Sequence, residues 1–234
     1  MKHLPKILLA FSLFAFAASA QEQSTWTFDR LDTIGGSPAR VEGHPDVIST
    51  PGGKALVFHG APDAVFVEKH PMAGWSNFTF EAVFRPDGGP EQQRWFHLAS
   101  IDPKTGRDSL PTGTDDPNSR FMFEIRVVGD QWYLDAFTHG DTYNQALMFK
   151  EKLHPLGKWY AVAQTYDGKT YRSYVNGELQ GEIALAFTPQ APGRAAIGTR
   201  INRVNYFHGA VLKARFTPRA LAPGQFLQLP QGMP

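Results

Sequence analysis

Trp159 to Gln180 reads WYAVAQTYDGKTYRSYVNGELQ. Its first part, Trp159 to Tyr166, is dense in aromatic and β-branched residues, which suit a pleated, half-buried surface. Asp167-Gly168 follows, a dipeptide that tolerates the positive φ of a two-residue hairpin turn. From Lys169 to Val175 the side chains alternate, with Tyr171, Ser173 and Val175 on one face and Arg172 and Tyr174 on the other. Asn176-Gly177 supplies a second turn and opens a third run, Glu178 to Leu185. Three strands in succession form a meander, and the meander sets an all-β class.

The same texture extends on both sides. Phe78, Phe80, Ala82 and Phe84 alternate with Thr79, Glu81, Val83 and Arg85, the period of a strand with one buried face. Arg94 to Ile101 reads as the next strand. Phe121 to Val128 and Gln131 to Phe137 read as a hairpin across Gly129-Asp130. Shorter candidates are Trp26 to Leu31, Ala55 to His59, Ala64 to Glu68, Gln145 to Phe149 and Arg194 to Gly198, with Tyr206 to Phe216 as the last long strand. Between them lie polar loops at Thr138 to Asn144 and Thr199 to Asn205. Asp102 to Arg120 is the longest irregular stretch, with three Pro and two Gly, a length that is often functional inside a compact domain. Only RALAPGQF, near the end, suggests a helical turn.

Composition agrees with many short strands: 18 Phe, 22 Gly and 18 Pro leave little room for long helices. Lys2 and Lys6, an apolar run from Ile7 to Ala18 and the small residues Ala18-Ser19-Ala20 have the anatomy of a secretory signal peptide, residues 1–20. The run falls short of the roughly 20 apolar residues of a membrane span, so no span is expected after cleavage. Residues 21–234 are then one domain, and the expected location is the periplasm or the extracellular space. The absence of Cys rules out disulfides and favours a bacterial exported protein with a core of its own. Cleavage removes two lysines and takes the formal charge from +1 to −1, which argues against a nucleic-acid partner.

The meander resembles the "W-h-V-a…y-D-G…Y-v-N/D-G" hairpin of laminin-G-like, concanavalin A-like domains. Three further pieces follow that family's order: Ala55 to Val67 (ALVFHGAPDAVFV), Phe78 to Asp87 (FTFEAVFRPD), and Ile197-Gly198 with Phe207-His208-Gly209 and Arg219-Ala220-Leu221. The resemblance spans about residues 25–228. It implies a jelly-roll β-sandwich of two antiparallel sheets, about six strands each. It implies less about function, because this fold hosts lectins, adhesion modules, glycoside hydrolases and polysaccharide lyases.

Chemistry is therefore sought in the residues. Retaining glycosidases of the family carry an E-x-D-x-x-E strand; here Glu124 has Arg126 as its same-face neighbour, and that arginine is expected to lower the Glu124 pKa. A lyase would draw on Arg126, His97 and a tyrosine such as Tyr133 or Tyr166, yet the family's R-x-E-x-R and Q-x-H patterns are absent. The bland reading has Glu124, Arg126, His97, Glu81 and Arg85 on a solvated sheet face with cross-strand ion pairs. Calcium is the metal such domains commonly hold; Asp115, Asp116 and Asn118, with Asp108 nearby, and Asp63 are the candidate oxygen ligands. Carbohydrate binding would use aromatic and polar loop residues. Tyr143, Asn144, Asp141, His139, Arg200 and Tyr206 fit, while Trp95, Trp132 and Trp159 are expected in the core. The expected role is a non-catalytic module that binds a carbohydrate or glycoconjugate. The alternatives are a polysaccharide-active enzyme built on Glu124, Arg126 and His97, and a structural or protein-interaction module.

Overall fold

The computed structural model describes residues 22–102 and 119–233. Seventeen strands follow in chain order: β1 (Ser24–Thr27), β2 (Thr33–Ile34), β3 (Ser37–Glu42), β4 (Asp46–Thr50), β5 (Gly53–His59), β6 (Ala64–Val67), β7 (Phe78–Pro86), β8 (Gln92–Ser100), β9 (Arg120–Val128), β10 (Gln131–Gly140), β11 (Tyr143–Met148), β12 (His154–Pro155), β13 (Tyr160–Tyr166), β14 (Thr170–Val175), β15 (Glu178–Ala184), β16 (Gly193–Ile197) and β17 (His208–Thr217). One sheet has eight strands in the order β15-β14-β13-β7-β17-β5-β4, with β1 also on β17. The other has nine, in the order β11-β10-β9-β8-β16-β6-β3-β2, with β12 also on β10. The count exceeds the expected six per sheet because short edge strands extend each one. Among the described residues no helix is long and apolar enough to cross a membrane.

The sheets meet through aromatic side chains. The Phe78/Phe80/Phe84 face of β7 points inward, as its alternation predicts. Phe80 stacks on Phe123 of β9 with ring centroids 3.8 Å apart, and Phe84 stacks on Trp95 of β8 at 4.5 Å. Trp26, Trp95 and Trp132 are wholly buried in this layer. Burying an aromatic of this size stabilises a fold by a few kcal/mol, so the sandwich needs no cross-link.

The meander is β13, β14 and β15, with Tyr171 and Val175 in the core. Its second turn has positive φ at both Asn176 (49°) and Gly177 (81°), as a two-residue turn with primed geometry requires. The first turn differs from expectation. Only Gly168 has positive φ (94°), and the link is longer because Asp167 Oδ1 accepts the backbone N–H groups of Lys169 (3.0 Å) and Thr170 (2.8 Å). The carboxylate closes the turn together with one long backbone bond, from the Asp167 N–H to Thr170 O at 3.4 Å.

The outer face of the eight-stranded sheet is covered by the C-terminal segment. Leu221 and Phe226 pack on Ala163 and Tyr174, and Leu229 and Met233 pack on a cluster with Trp159 and Ala161. The expected helical turn is the single 3-10 turn Pro223–Gln225. Beneath it the fully buried Glu81 accepts two hydrogen bonds from Arg215 (2.6 and 2.7 Å) and one from the Leu227 N–H (2.6 Å).

Candidate functional site

Strand register decides what the nine-stranded sheet displays on its outer face. The two-residue turn at Gly129-Asp130 pairs Val128 with Gln131. Counting back along β9 and β10 then sets Arg126 opposite Tyr133, Glu124 opposite Asp135, Met122 opposite Phe137 and Arg120 opposite His139. On the other flank β8 sets Gln92 against Arg126, Arg94 against Glu124, His97 against Met122 and Ala99 against Arg120. β11 adds Met148, Ala146 and Asn144 beside Asp135, Phe137 and His139. The intervening residues, among them Phe121, Phe123, Ile125, Trp132 and Leu134, are core. A bulge between Arg94 and Phe96 turns both Trp95 and Phe96 inward, so Arg94 and His97 become successive residues of the outer face.

The middle of this face is charged yet closed to water. Glu124 is 2% exposed and Asp135 is 1% exposed. Arg94 pairs through Nε with Glu124 Oε1. Arg126 Nε donates to Asp135 Oδ2 at 2.7 Å, while its Nη2 lies 3.9 Å from Glu124 Oε2. Burial pushes the Glu124 carboxyl up to about 8; Arg94 and Arg126 pull against it and the neighbouring Asp135 adds to it. This reverses the expectation that Arg126 would hold Glu124 low. The Arg126 head is committed across the hairpin to Asp135, and desolvation outweighs the remaining attraction. Nor is the face a solvated one at Glu124 and His97, and Glu81 belongs to the other sheet beneath the C-terminal segment.

His97 is fully buried. Its Nδ1 accepts the Ile201 N–H at 2.8 Å, which leaves the proton of the neutral ring on Nε2. Burial, then the nearby guanidiniums of Arg200, Arg120 and Arg94, hold it well below the usual histidine range. Among the described residues no hydrogen-bond partner reaches His97 Nε2. The loop that supplies Ile201 lies over β6, β16 and β8: Ile201 and Tyr206 pack on Ala64, Phe66, Ala99 and Ala196, and Asn205 O accepts the Arg94 N–H at 2.9 Å. Arg200 and Tyr206 therefore border the face on that side. His139 and Asn144, a cross-strand pair, border it at the other, with Asp141 exposed at the hairpin tip.

Tyr143 does not join them. The expected loop from Thr138 to Asn144 is mostly strand, and Tyr143 opens β11 with its ring turned into the core. It is 6% exposed; its hydroxyl donates to Thr188 O (3.3 Å) and accepts from Gln190 Nε2 (3.1 Å). Burial pushes the phenol up to about 12. It supports the β10–β11 hairpin from below and offers no surface to a ligand.

A laminin-G family model described as the concanavalin A-like lectin/glucanases superfamily matches residues 59–225. The chain belongs to the concanavalin A-like lectin/glucanases superfamily. No curated protein matches it in sequence. Among solved structures, this member of the superfamily resembles domain 4 of AbnA, a GH43 extracellular arabinanase from Geobacillus stearothermophilus in complex with arabinotriose: 16% identity, TM-score 0.61, 87% of this chain and 96% of that one. The receptor binding domain of botulinum neurotoxin D is 12% identical with a TM-score of 0.58, over 87% of this chain and 51% of that one. Trypanosoma rangeli sialidase, in complex with the inhibitor DANA, is 13% identical with a TM-score of 0.56, over 86% of this chain and 31% of that one. The chain thus spans about half of the toxin domain and about a third of the sialidase. At such identities the likeness is one of fold.

The superfamily resemblance implied calcium. Asp63 does not fit that role. Its Oδ1 accepts the His44 N–H (2.8 Å), and its Oδ2 accepts the His59 N–H (2.9 Å) and faces His59 Nδ1 (2.8 Å). Donors converge on both oxygens, and a cation there would be driven against those N–H groups. Burial raises the Asp63 pKa, yet these hydrogen bonds outweigh it and hold the carboxyl below its ordinary range. Asp115, Asp116 and Asn118, with Asp108, lie outside the described residues.

Asp135, Arg94 and Phe137 complete the site and were not singled out from sequence. The signal was available: a two-residue turn at Gly129-Asp130 fixes the pairing, and the pairing brings Asp135 to Glu124. Spacing along β9 pairs Glu124 with Arg126, and only the register across the hairpin brings it a second carboxylate.

Proposed function

We propose that this chain binds carbohydrate, without cleaving it, on the outer face of β8 to β11. The observation that carries the reading is the row Tyr133, Asp135, Phe137, His139 along β10. The Phe137 and His139 rings lie within 9° of parallel with centroids 6.4 Å apart. Both side chains are half-buried, and with Arg120 over one side of the Phe137 ring at 5.3 Å they offer aromatic carbon against which the apolar face of a sugar ring can lie. Beside them stand the partly exposed arginines Arg94 and Arg126, donors that can fix hydroxyl oxygens. Superfamily membership supports the reading, as do solved neighbours whose complexes hold arabinotriose or a sialylated ligand.

Binding is favoured over hydrolysis by the state of the carboxyl pair. Glycosidases place two carboxyls about 5–9.5 Å apart with the scissile bond between them. Glu124 and Asp135 face each other across adjacent strands, each is held by an arginine, and neither is more than 2% exposed. They leave no space for a glycosidic bond.

A glycan array followed by calorimetry tests this. Wild type should bind at least one saccharide, and Phe137→Ala should weaken it about tenfold while the fold survives. If no saccharide binds at millimolar concentration, the reading falls. New reducing ends during incubation would overturn its non-catalytic part.

A further inference from the structure

We propose that the saccharide recognised here is anionic, and that its carboxylate seats on the paired guanidiniums of Arg94 and Arg126; this rests on the carbohydrate reading above. The two arginines stand on neighbouring strands, one row apart on the same face. Each is oriented from behind through Nε, Arg94 by Glu124 and Arg126 by Asp135. That leaves the Nη ends as the display surface. Arg94 Nη1 makes one hydrogen bond, to Gln92 Oε1 at 3.2 Å. Among the described residues the Arg126 Nη groups have the loose 3.9 Å approach to Glu124 and no closer partner. A guanidinium presents its donors as a rigid fork that matches a carboxylate in a bidentate fashion. Two forks held by buried carboxyls lose little side-chain entropy when the ligand arrives, so their preorganisation is already built into the fold.

The buried carboxyls explain why the forks are held rather than merely neutralised. Were Glu124 and Asp135 at the surface, they would compete with the ligand for the arginine heads. At 2% and 1% exposure they meet each guanidinium at its Nε and leave the Nη groups outside those contacts. Arg94 keeps 11% of its side chain exposed and Arg126 keeps 16%.

A second observation points the same way. His97, next to Arg94 on the outer face, carries a buried Nε2–H with no acceptor among the described residues. An orphaned buried donor costs free energy until an oxygen reaches it. Its surroundings are the cations Arg94, Arg120 and Arg200, so the group that suits it is an acceptor bearing negative charge or a water bound to one. Tyr133, opposite Arg126, and Phe137, one row beyond Asp135, lie about 13 Å apart along β10, so they would meet successive residues of one oligosaccharide.

Calorimetry on the full chain with oligogalacturonate, its methyl ester and a neutral oligosaccharide of the same length tests the proposal, with sulfated dextran as the control for charge alone. The expected result is binding of oligogalacturonate with the methyl ester weaker by roughly 10- to 100-fold. Arg126→Lys keeps a positive charge for Asp135 but removes the fork, and it should lower oligogalacturonate affinity by about tenfold with little effect on any neutral ligand. If Arg126→Lys unfolds, Arg94→Lys carries the same test. Equal affinity for acid and ester, or for neutral sugar, overturns the anionic assignment and leaves the carbohydrate reading standing. Sulfated dextran binding as tightly as the uronate also overturns it, because the face would then recognise charge without carboxylate geometry. Failure of every saccharide removes both readings together.

Discussion

Glu124 is the residue at which local sequence and tertiary setting disagree most. Read along its strand, it has an arginine two positions away, which would lower its pKa. Seated in the sheet, it is desolvated first and paired second, and its carboxyl rises from 4.5 to about 8. The folded state thus binds this proton more tightly than the unfolded chain. Its contribution to stability is full below pH 4.5 and drains away as pH rises toward 8. Glu124→Gln replaces the neutral acid with a neutral amide of similar shape. Relative to wild type, the variant should gain stability as pH rises from about 5 to 8, at up to roughly 1.4 kcal/mol per pH unit. Chemical denaturation of both proteins across that range measures the difference. A constant difference, or one that moves the other way, would show that Glu124 titrates as an ordinary surface carboxylate.

At the level of elements, the strands were legible because the forces that make them are local. The alternation of Phe78, Phe80, Ala82 and Phe84 names its own buried face, and Asn176-Gly177 names its own turn. The site was legible only in pieces. Glu124, Arg126, His97, His139 and Asn144 were each noticed, but their common face depends on three pairings and one bulge. Tyr143 was misplaced because a polar stretch, Thr138 to Asn144, looks like a loop although its backbone continues the ladder of β10 and β11. The C-terminal segment was the element least visible in sequence. Its apolar residues lack periodicity; what holds it is the packing of Leu221, Phe226, Leu229 and Met233 together with the Leu227 N–H on Glu81 and the Gln225 carbonyl that accepts from Arg215 at 2.8 Å. Truncation after Thr217 should therefore do more than remove a tail. It would uncover Trp159, Ala161, Ala163 and Tyr174 and open the Glu81–Arg215 pair to water. The expected loss is about 3 kcal/mol or more, from several buried apolar side chains, with a rise in the binding of an apolar dye. A truncated chain that melts with wild type would show that the segment is not a structural cover.

For the whole molecule, the two outer faces are unequal, and that inequality is why the proposed site is put on the nine-stranded sheet. The eight-stranded sheet is roofed by the protein's own C-terminal segment, so its outer face is spent on stability. Among the described residues the nine-stranded sheet is roofed by the loop around Ile201 over β6, β16 and β8, and the outer face beyond it carries arginines, a carboxyl pair and two half-buried aromatic rings. Two surface substitutions separate the faces. Arg172, on the eight-stranded sheet, pairs with Asp167 (2.6 Å) and Glu182 (2.5 Å) in largely solvated surroundings. Its replacement by Ala should cost no more than about 1 kcal/mol and leave saccharide affinity unchanged. Met148, on the edge strand of the nine-stranded sheet, is 38% exposed and sits beside Asp135. Met148→Glu should change stability by less than about 0.5 kcal/mol. It nevertheless adds negative charge one strand away from the Arg126–Asp135 pair, so binding of an acidic saccharide should weaken severalfold, most strongly at low ionic strength where surface charges are least screened. Affinity that falls with Arg172→Ala and survives Met148→Glu would move the site to the other sheet, because neither substitution disturbs the core that joins the two.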